Sequence, residues 1–146
     1  MVFEHQFYAA IVLVIATLVM HSAGTTGLIY WQRDHFARGV HPIGSFSGCV
    51  LMVRFVSLIL CLHLLEILLW AAFYHWKCFP DWESAFYFSA TSYSTVGYGD
   101  VVLQRAWRSL GPIESLTGVL MCGFSASFLF AIVLKLVASD ARLHER

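Results

Sequence analysis

The stretch Pro80-Asp81-Trp82-Glu83-Ser84-Ala85-Phe86-Tyr87-Phe88-Ser89-Ala90-Thr91-Ser92-Tyr93-Ser94-Thr95-Val96-Gly97-Tyr98-Gly99-Asp100 decides how the rest of the chain is read. It belongs to a segment, residues 77–111, that is too polar to cross a bilayer and too aromatic to be a plain loop. Its first half opens as a helix does. Asp81 suits the N-cap, and Glu83 puts negative charge in the first turn, where the helix dipole favours it. This predicts a short helix from Trp82 to about Tyr93, which hands the chain to a second half with Gly97 and Gly99 two residues apart.

Apolar runs lie on either side. One covers residues 49–76, broken by Arg54, His63 and Glu66, and one covers residues 113–138, with Glu114 near its start and Lys135 near its end. Another, residues 7–20, continues more weakly to Tyr30. Each can supply the ~20 helical residues that a bilayer core of ~30 Å requires. Of the 146 residues, 59% are hydrophobic and 12% charged, against about 25% charged in soluble domains. A soluble chain this short could not bury so much apolar surface. Nine basic residues balance nine acidic ones, so no nucleic-acid footprint is present. The expected fold class is therefore all-α integral membrane, with three transmembrane helices in the cell membrane and the lipid bilayer as surroundings. No enzymatic activity and no small-molecule substrate are expected.

The first run could serve as a secretory signal, with His21-Ser22-Ala23 as a loose cleavage site. Residues 1–6 carry Glu4 and no Lys or Arg, which is the wrong charge for such a signal, and a retained helix is preferred. Arg33, Arg38 and Arg54 follow the first helix, while Lys135, Arg142 and Arg146 come last. That places the N-terminus outside, with the first connection and the C-terminus in the cytoplasm. Lys77, Arg105 and Arg108 weaken this vote. The cysteines Cys49, Cys61, Cys78 and Cys122 show no C-x-x-C spacing, and a buried Cys behaves as a small hydrophobe. Only Cys78 could meet an oxidising exterior, and it could pair only between chains.

The run Thr95-Val96-Gly97-Tyr98-Gly99-Asp100 resembles the pore region of potassium channels. The resemblance extends over roughly residues 49–138 and is specific at the run itself. It implies a re-entrant pore helix, a TVGYG selectivity filter and an inner helix, assembled into a tetrameric potassium-channel-like pore, with an extra helix in front. A K⁺ ion entering a narrow pore must exchange its water for other oxygens. A loop whose carbonyls all face one axis can supply them, provided some residues adopt φ > 0, which Gly accepts readily. Carbonyls of Thr95, Val96, Gly97 and Tyr98 would form the K⁺ sites, with the Thr95 hydroxyl adding the innermost ring and Gly99 completing the ladder. One loop makes one side of each cage, so a homotetramer is required. K⁺ is the permeant ion, and no cofactor is implied. Related non-selective filters carry an acidic residue where Tyr98 stands.

Asp100 occupies the outer mouth. In some family members a pore-helix Glu partners it; Thr91 stands at the corresponding position here, so Thr91 is a candidate filter support without a carboxyl. Glu66 is another, bonding pore-helix hydroxyls such as Ser89 or Tyr87; proton sensing with His63, which shares its helix face, is the alternative. Phe86, Tyr87, Phe88 and Tyr93 form either an aromatic collar or ordinary packing. Gly costs about 1 kcal/mol inside a helix: Gly118 reads as packing, and Gly123 as a possible hinge or packing. Arg54 should snorkel, and Tyr30 and Trp31 should anchor at the interface.

No helix repeats Arg or Lys at three-residue spacing, so no voltage sensor is expected, and with only about eight residues after the last helix no regulator domain is expected. The organisation expected is an extra transmembrane helix and cytoplasmic connection over residues 1–46, a pore domain over 47–139, and a short cytoplasmic tail over 140–146. The function expected is a potassium-selective, passive channel subunit. The alternatives are a small haem-binding electron-transfer protein, with His21 and His63 as axial ligands, or a non-conducting accessory subunit.

Overall fold

The structure, a computed structural model, describes residues 2–37 and 46–144. These form four helices, α1 (Val2–Ala37), α2 (Phe46–Lys77), α3 (Trp82–Tyr93) and α4 (Leu110–His144), with no strand among the described residues. Three of them contain stretches long and apolar enough to cross a membrane: Glu4–Trp31, Gly48–Lys77 and Leu110–Lys135. The expected apolar runs and these spans coincide closely. The connection at residues 38–45 lies outside the described residues, as do Arg38, Arg146 and the side chains of Arg33 and Arg142, so most of the charges expected to orient the helices fall there. Helix α4 continues to His144, into the residues expected to form a tail.

Each long helix buries one stripe at three- and four-residue spacing, the repeat that keeps side chains on one face. On α1 it is Gln6, Ala10, Leu13, Thr17 and His21; on α2 it is Leu51, Phe55, Ile59, Leu62, Glu66, Trp70 and Tyr74; on α4 it is Leu110, Glu114, Thr117, Met121, Ser125 and Ile132. The polar residues sit on these stripes, while Leu60, Leu65, Val119 and Phe130 face outward. This inverts the soluble pattern. Lipid is as apolar as leucine, so close packing and hydrogen bonds, rather than apolar burial, join the helices.

One apolar cluster surrounds Trp70, Tyr74, Phe88 and Leu110, and a second joins Leu51, Phe55 and Ile132 at the other end of the molecule. The Trp70 indole donates to Thr17 Oγ1 at 3.0 Å, tying α1 to α2. The Arg54 guanidinium lies 4.9 Å from the centre of the Trp31 ring, so the arginine expected to snorkel rests on the expected anchor.

Helix α2 ends where the Tyr74 carbonyl accepts from the Cys78 and Phe79 amides at 2.7 and 2.9 Å, and Pro80 cannot continue it. Asp81 then caps α3, its Oδ1 accepting from the Ser84 amide at 2.7 Å. Helix α3 spans 12 residues, about 18 Å at the usual rise, which is too short to cross a bilayer. It packs against α2 and α4 and buries Ala85, Phe88, Ser89, Ser92 and Tyr93. Helix α1 packs on α2 and α4 instead. Gly118 lets α4 approach the end of α3, because a Cβ there would collide with the Tyr93 carbonyl. A Cβ at Gly123 meets nothing within 4 Å, so within one chain the packing explanation serves Gly118 alone.

Candidate functional site

Helix α3 stops at Ser94, whose amide donates to the Ala90 carbonyl at 3.1 Å and whose hydroxyl donates to the same oxygen at 2.6 Å. Beyond it the backbone alternates in handedness. Thr95 has φ 61°, Gly97 φ 52° and Gly99 φ 80°, whereas Val96 and Tyr98 between them stay at negative φ. Glycine adopts this left-handed region freely, but a β-branched Thr does so at a cost of roughly 1–3 kcal/mol. Thr95 is the one non-glycine residue at positive φ among the described residues. The Gly97 amide donates to the Thr91 carbonyl at 3.0 Å, folding the segment back onto the end of α3.

Thr91 therefore touches the segment through its backbone. Its hydroxyl turns away, within reach of the carbonyls of Tyr87 (2.9 Å) and Phe88 (3.1 Å) of its own helix. The partner of Asp100 is Tyr87, one turn earlier, whose hydroxyl donates to Asp100 Oδ2 at 2.9 Å. A phenol reaches further than a threonine hydroxyl, which explains the shift by a turn. That hydrogen bond raises the Tyr87 phenol above its ordinary range, so it remains a donor at neutral pH. The Tyr87 and Tyr98 rings stack 6.4 Å apart with 13° between their planes.

Behind this segment is a fully buried carboxylate, Glu66. The Tyr93 hydroxyl donates to its Oε2, His21 Nδ1 stands 2.8 Å from Oε1, and His63 Nδ1 stands 3.4 Å from Oε2. His63 Nδ1 also lies 2.9 Å from the Tyr93 oxygen, and its Nε2 lies 3.0 Å from Ser125 Oγ. Side chains from all four helices meet here. Hydrogen-bond accounting assigns the protons. Tyr93 gives its single proton to Glu66, so His63 must donate from Nδ1 to the Tyr93 oxygen, and Ser125 then donates to His63 Nε2.

The expected partners of Glu66, Ser89 and Tyr87, are therefore not its partners. Ser89 sits one turn before Tyr93 and faces Glu114 instead, donating to Oε1 at 2.5 Å, while the Tyr74 hydroxyl donates to Oε2 at 2.8 Å. Two buried carboxylates thus hold α3 at successive turns of its inner face. The four aromatics expected as one collar take separate places: Phe88 packs edge-on to Tyr74 in the core, Tyr93 reaches Glu66, Tyr87 reaches Asp100, and Phe86 is partly exposed. His21 and His63 both direct Nδ1 at one carboxylate, whereas axial haem ligands must oppose each other across a macrocycle; the arrangement does not fit haem.

Sequence reasoning placed Tyr93 in a collar or in ordinary packing, and gave no role to Glu114, to Ser125 or to the link from His21 to Glu66. A signal was present in the four-residue spacing of Ser89 and Tyr93, which puts both hydroxyls on one face of α3.

Three apolar spans, a short capped helix seated between two of them and a glycine-bearing segment of alternating handedness together define a helical membrane protein. The profile of the ion channel family matches residues 59–135, over half of the chain, and the protein belongs to that family. The match runs from α2 into α4 and includes His63, Glu66 and the segment of alternating handedness, while α1 precedes it. No curated protein and no solved structure matches the chain.

Proposed function

We propose that the protein is one subunit of a homotetrameric, potassium-selective channel that conducts K⁺ passively across the cell membrane. In this reading α3 is the re-entrant pore helix and residues 95–99 are the selectivity filter. The carbonyls of Thr95, Val96, Gly97 and Tyr98 coordinate K⁺, and Asp100 stands at the outer mouth. The observation that carries the proposal is the sign of φ at Thr95, Gly97 and Gly99. In an extended strand the residues alternate in direction. Reversing φ at every second residue turns alternate peptide planes over, so successive carbonyls can face one side. That is the arrangement a dehydrated cation needs, and four copies of it close a cage.

The same reading gives the surrounding residues roles. Tyr87 fixes Asp100, the Thr91 carbonyl fixes Gly97, and Glu66 holds the base of the pore helix through Tyr93. The pore domain covers residues 47–139, Gly123 is a hinge of the inner helix, and the N-terminus lies outside. No cofactor takes part, since backbone oxygens supply the chemistry. The test is ion flux in vesicles reconstituted with the purified protein, together with its oligomeric mass in detergent. K⁺ flux that exceeds Na⁺ flux and is blocked by Ba²⁺, from a tetramer, is the expected result. Equal Na⁺ and K⁺ permeability refutes the selectivity, and a monomer or dimer refutes the four-fold filter.

A further inference from the structure

We propose that His21, His63 and Glu66 form a binding site for a divalent transition-metal ion of the Zn²⁺ class, which clamps α1 onto α2. One ligand atom from each of the three residues lies within 4.8 Å of the others. Within the group, His21 Nδ1 already stands 2.8 Å from Glu66 Oε1 and His63 Nδ1 3.4 Å from Oε2, so the two imidazoles converge on the two oxygens of one carboxylate. A tetrahedral zinc site with metal–ligand bonds of about 2.0–2.1 Å has edges of about 3.3 Å, so donors that lie within 4.8 Å of one another close on the ion by a modest side-chain adjustment. Two imidazoles and one carboxylate are a zinc donor set, and imidazole discriminates against Mg²⁺ and Ca²⁺. With both imidazoles neutral the group carries one negative charge, which draws a cation into surroundings that otherwise repel charge.

The hydrogen bonds around the site favour the exchange. Coordination through His63 Nδ1 moves its proton to Nε2, where Ser125 Oγ, 3.0 Å away, accepts it. A hydroxyl serves as donor or acceptor alike, so the Ser125 bond is kept with its direction reversed, and the Ser125 oxygen becomes the outer partner that orients the ligand; the Nδ1–H bond to the Tyr93 oxygen gives way to the metal bond. At His21 the metal bond replaces the hydrogen bond from Nδ1 to Glu66. While Nδ1–H donates to Glu66, Nε2 presents a buried lone pair with no partner. Coordination through Nδ1 turns it into an N–H group, and the His21 ring has the Phe124 ring as a neighbour, with centroids 6.4 Å apart. The His63 side chain keeps 13% exposure, which leaves a way in. Two ligands come from α2, inside the family match, and the third from α1, outside it. The site would thus give the preceding helix a role in this protein.

The test uses the purified full-length protein in detergent. Titration with Co²⁺ should produce the intense visible absorption of a tetrahedral site at one ion per chain, and equimolar Zn²⁺ should remove it. His21→Gln keeps an amide able to donate to Glu66 but is a poor ligand, so it should fold with wild-type elution and lose the signal. His63→Gln should do the same, while His5→Ala, at the exposed start of α1, should keep it. X-ray absorption of the Zn²⁺-loaded wild type, which needs no variant, should count two imidazoles per zinc. Absence of the tetrahedral spectrum, its retention in a folded His21→Gln protein, or fewer than two imidazoles per zinc would overturn the proposal. None of these measurements depends on ion flux, so the site can fail or stand independently of the channel reading.

Discussion

Alanine at Gly118 and alanine at Gly123 should change stability in opposite directions. Helix propensity alone treats the two alike, since replacing Gly by Ala inside a helix gains about 1 kcal/mol. The tertiary contacts separate them. At Gly118 the new Cβ would sit 3.0 Å from the Tyr93 carbonyl carbon and 3.1 Å from its ring, with the carbonyl oxygen closer still. Carbon atoms pack at about 3.5–4.0 Å, so α4 must retreat from the end of α3. Both partners are helix backbone and neither can swing aside. Overfilling a packed site costs about 1–3 kcal/mol. The retreat also stretches the hydrogen bond from Ser115 Oγ to the Ser92 carbonyl, 2.7 Å long and one turn away on α4, worth about 1 kcal/mol. Subtracting the propensity gain leaves a net loss of about 1–3 kcal/mol at Gly118. At Gly123 the Cβ meets no atom within 4 Å, so the propensity gain of about 1 kcal/mol should appear undiminished. A gap of about 2 kcal/mol or more between the variants is over tenfold in the folded-to-unfolded ratio. Reversible unfolding of the purified protein in mixed micelles of rising SDS content, followed by far-ultraviolet circular dichroism at fixed protein concentration, would measure it. If Gly118→Ala is as stable as wild type, or Gly123→Ala is the less stable variant, the close approach of α4 to α3 is wrong.

Tyr93→Phe and Glu66→Gln should couple, because one phenol and one carboxylate meet directly; the double-mutant cycle in the same unfolding assay should return about 0.5–1.7 kcal/mol, the range for hydrogen bonds between membrane helices, and zero coupling would separate the pair. Accepting the Ser84 amide holds the Asp81 carboxyl below its ordinary value of 3.8. Its contribution to the cap is therefore complete above that pH and lost as pH falls through the lower folded value. Amide exchange at Ser84, corrected for its intrinsic pH dependence, should lose protection in that window in the wild type, whereas Asp81→Asn should show no such step. Burial pushes the Cys78 thiol up to about 11 from 9. In a protein with Cys49, Cys61 and Cys122 changed to Ser, alkylation at pH 8 should run roughly a hundredfold slower than for an unperturbed thiol, because the thiolate is the reacting form; rapid labelling would show that Cys78 is not shielded.

Membrane class, span number and the short capped helix were all legible locally. Each rests on quantities a single segment carries: apolar length for the spans, and Pro80, Asp81 and Glu83 for the start of α3. The glycine spacing announced where the backbone would turn left-handed, yet Thr95 joins Gly97 and Gly99 there. No propensity marks a β-branched residue for that region, and only its surroundings can hold it. The pairings were less legible. Glu66 was plainly a buried acid in need of a donor, but which of several hydroxyls on α3 would reach it depends on the rotation and height of α3 against α2. A single turn of difference gives Ser89 to Glu114 and Tyr93 to Glu66.

The sequence by itself thus determined what each segment must do: form a helix long enough to cross the bilayer, form one too short to cross it, or bend through left-handed backbone. Those outcomes follow from transfer of side chains into lipid and from local backbone sterics, and both act within a few residues. Only the tertiary structure decided how the buried polar groups pair. That choice joins His21, Glu66, Tyr93 and Ser125 across four helices. Hydrogen bonds and close contacts change over a few tenths of an ångström, and helix register sets distances on that scale, which no local pattern encodes.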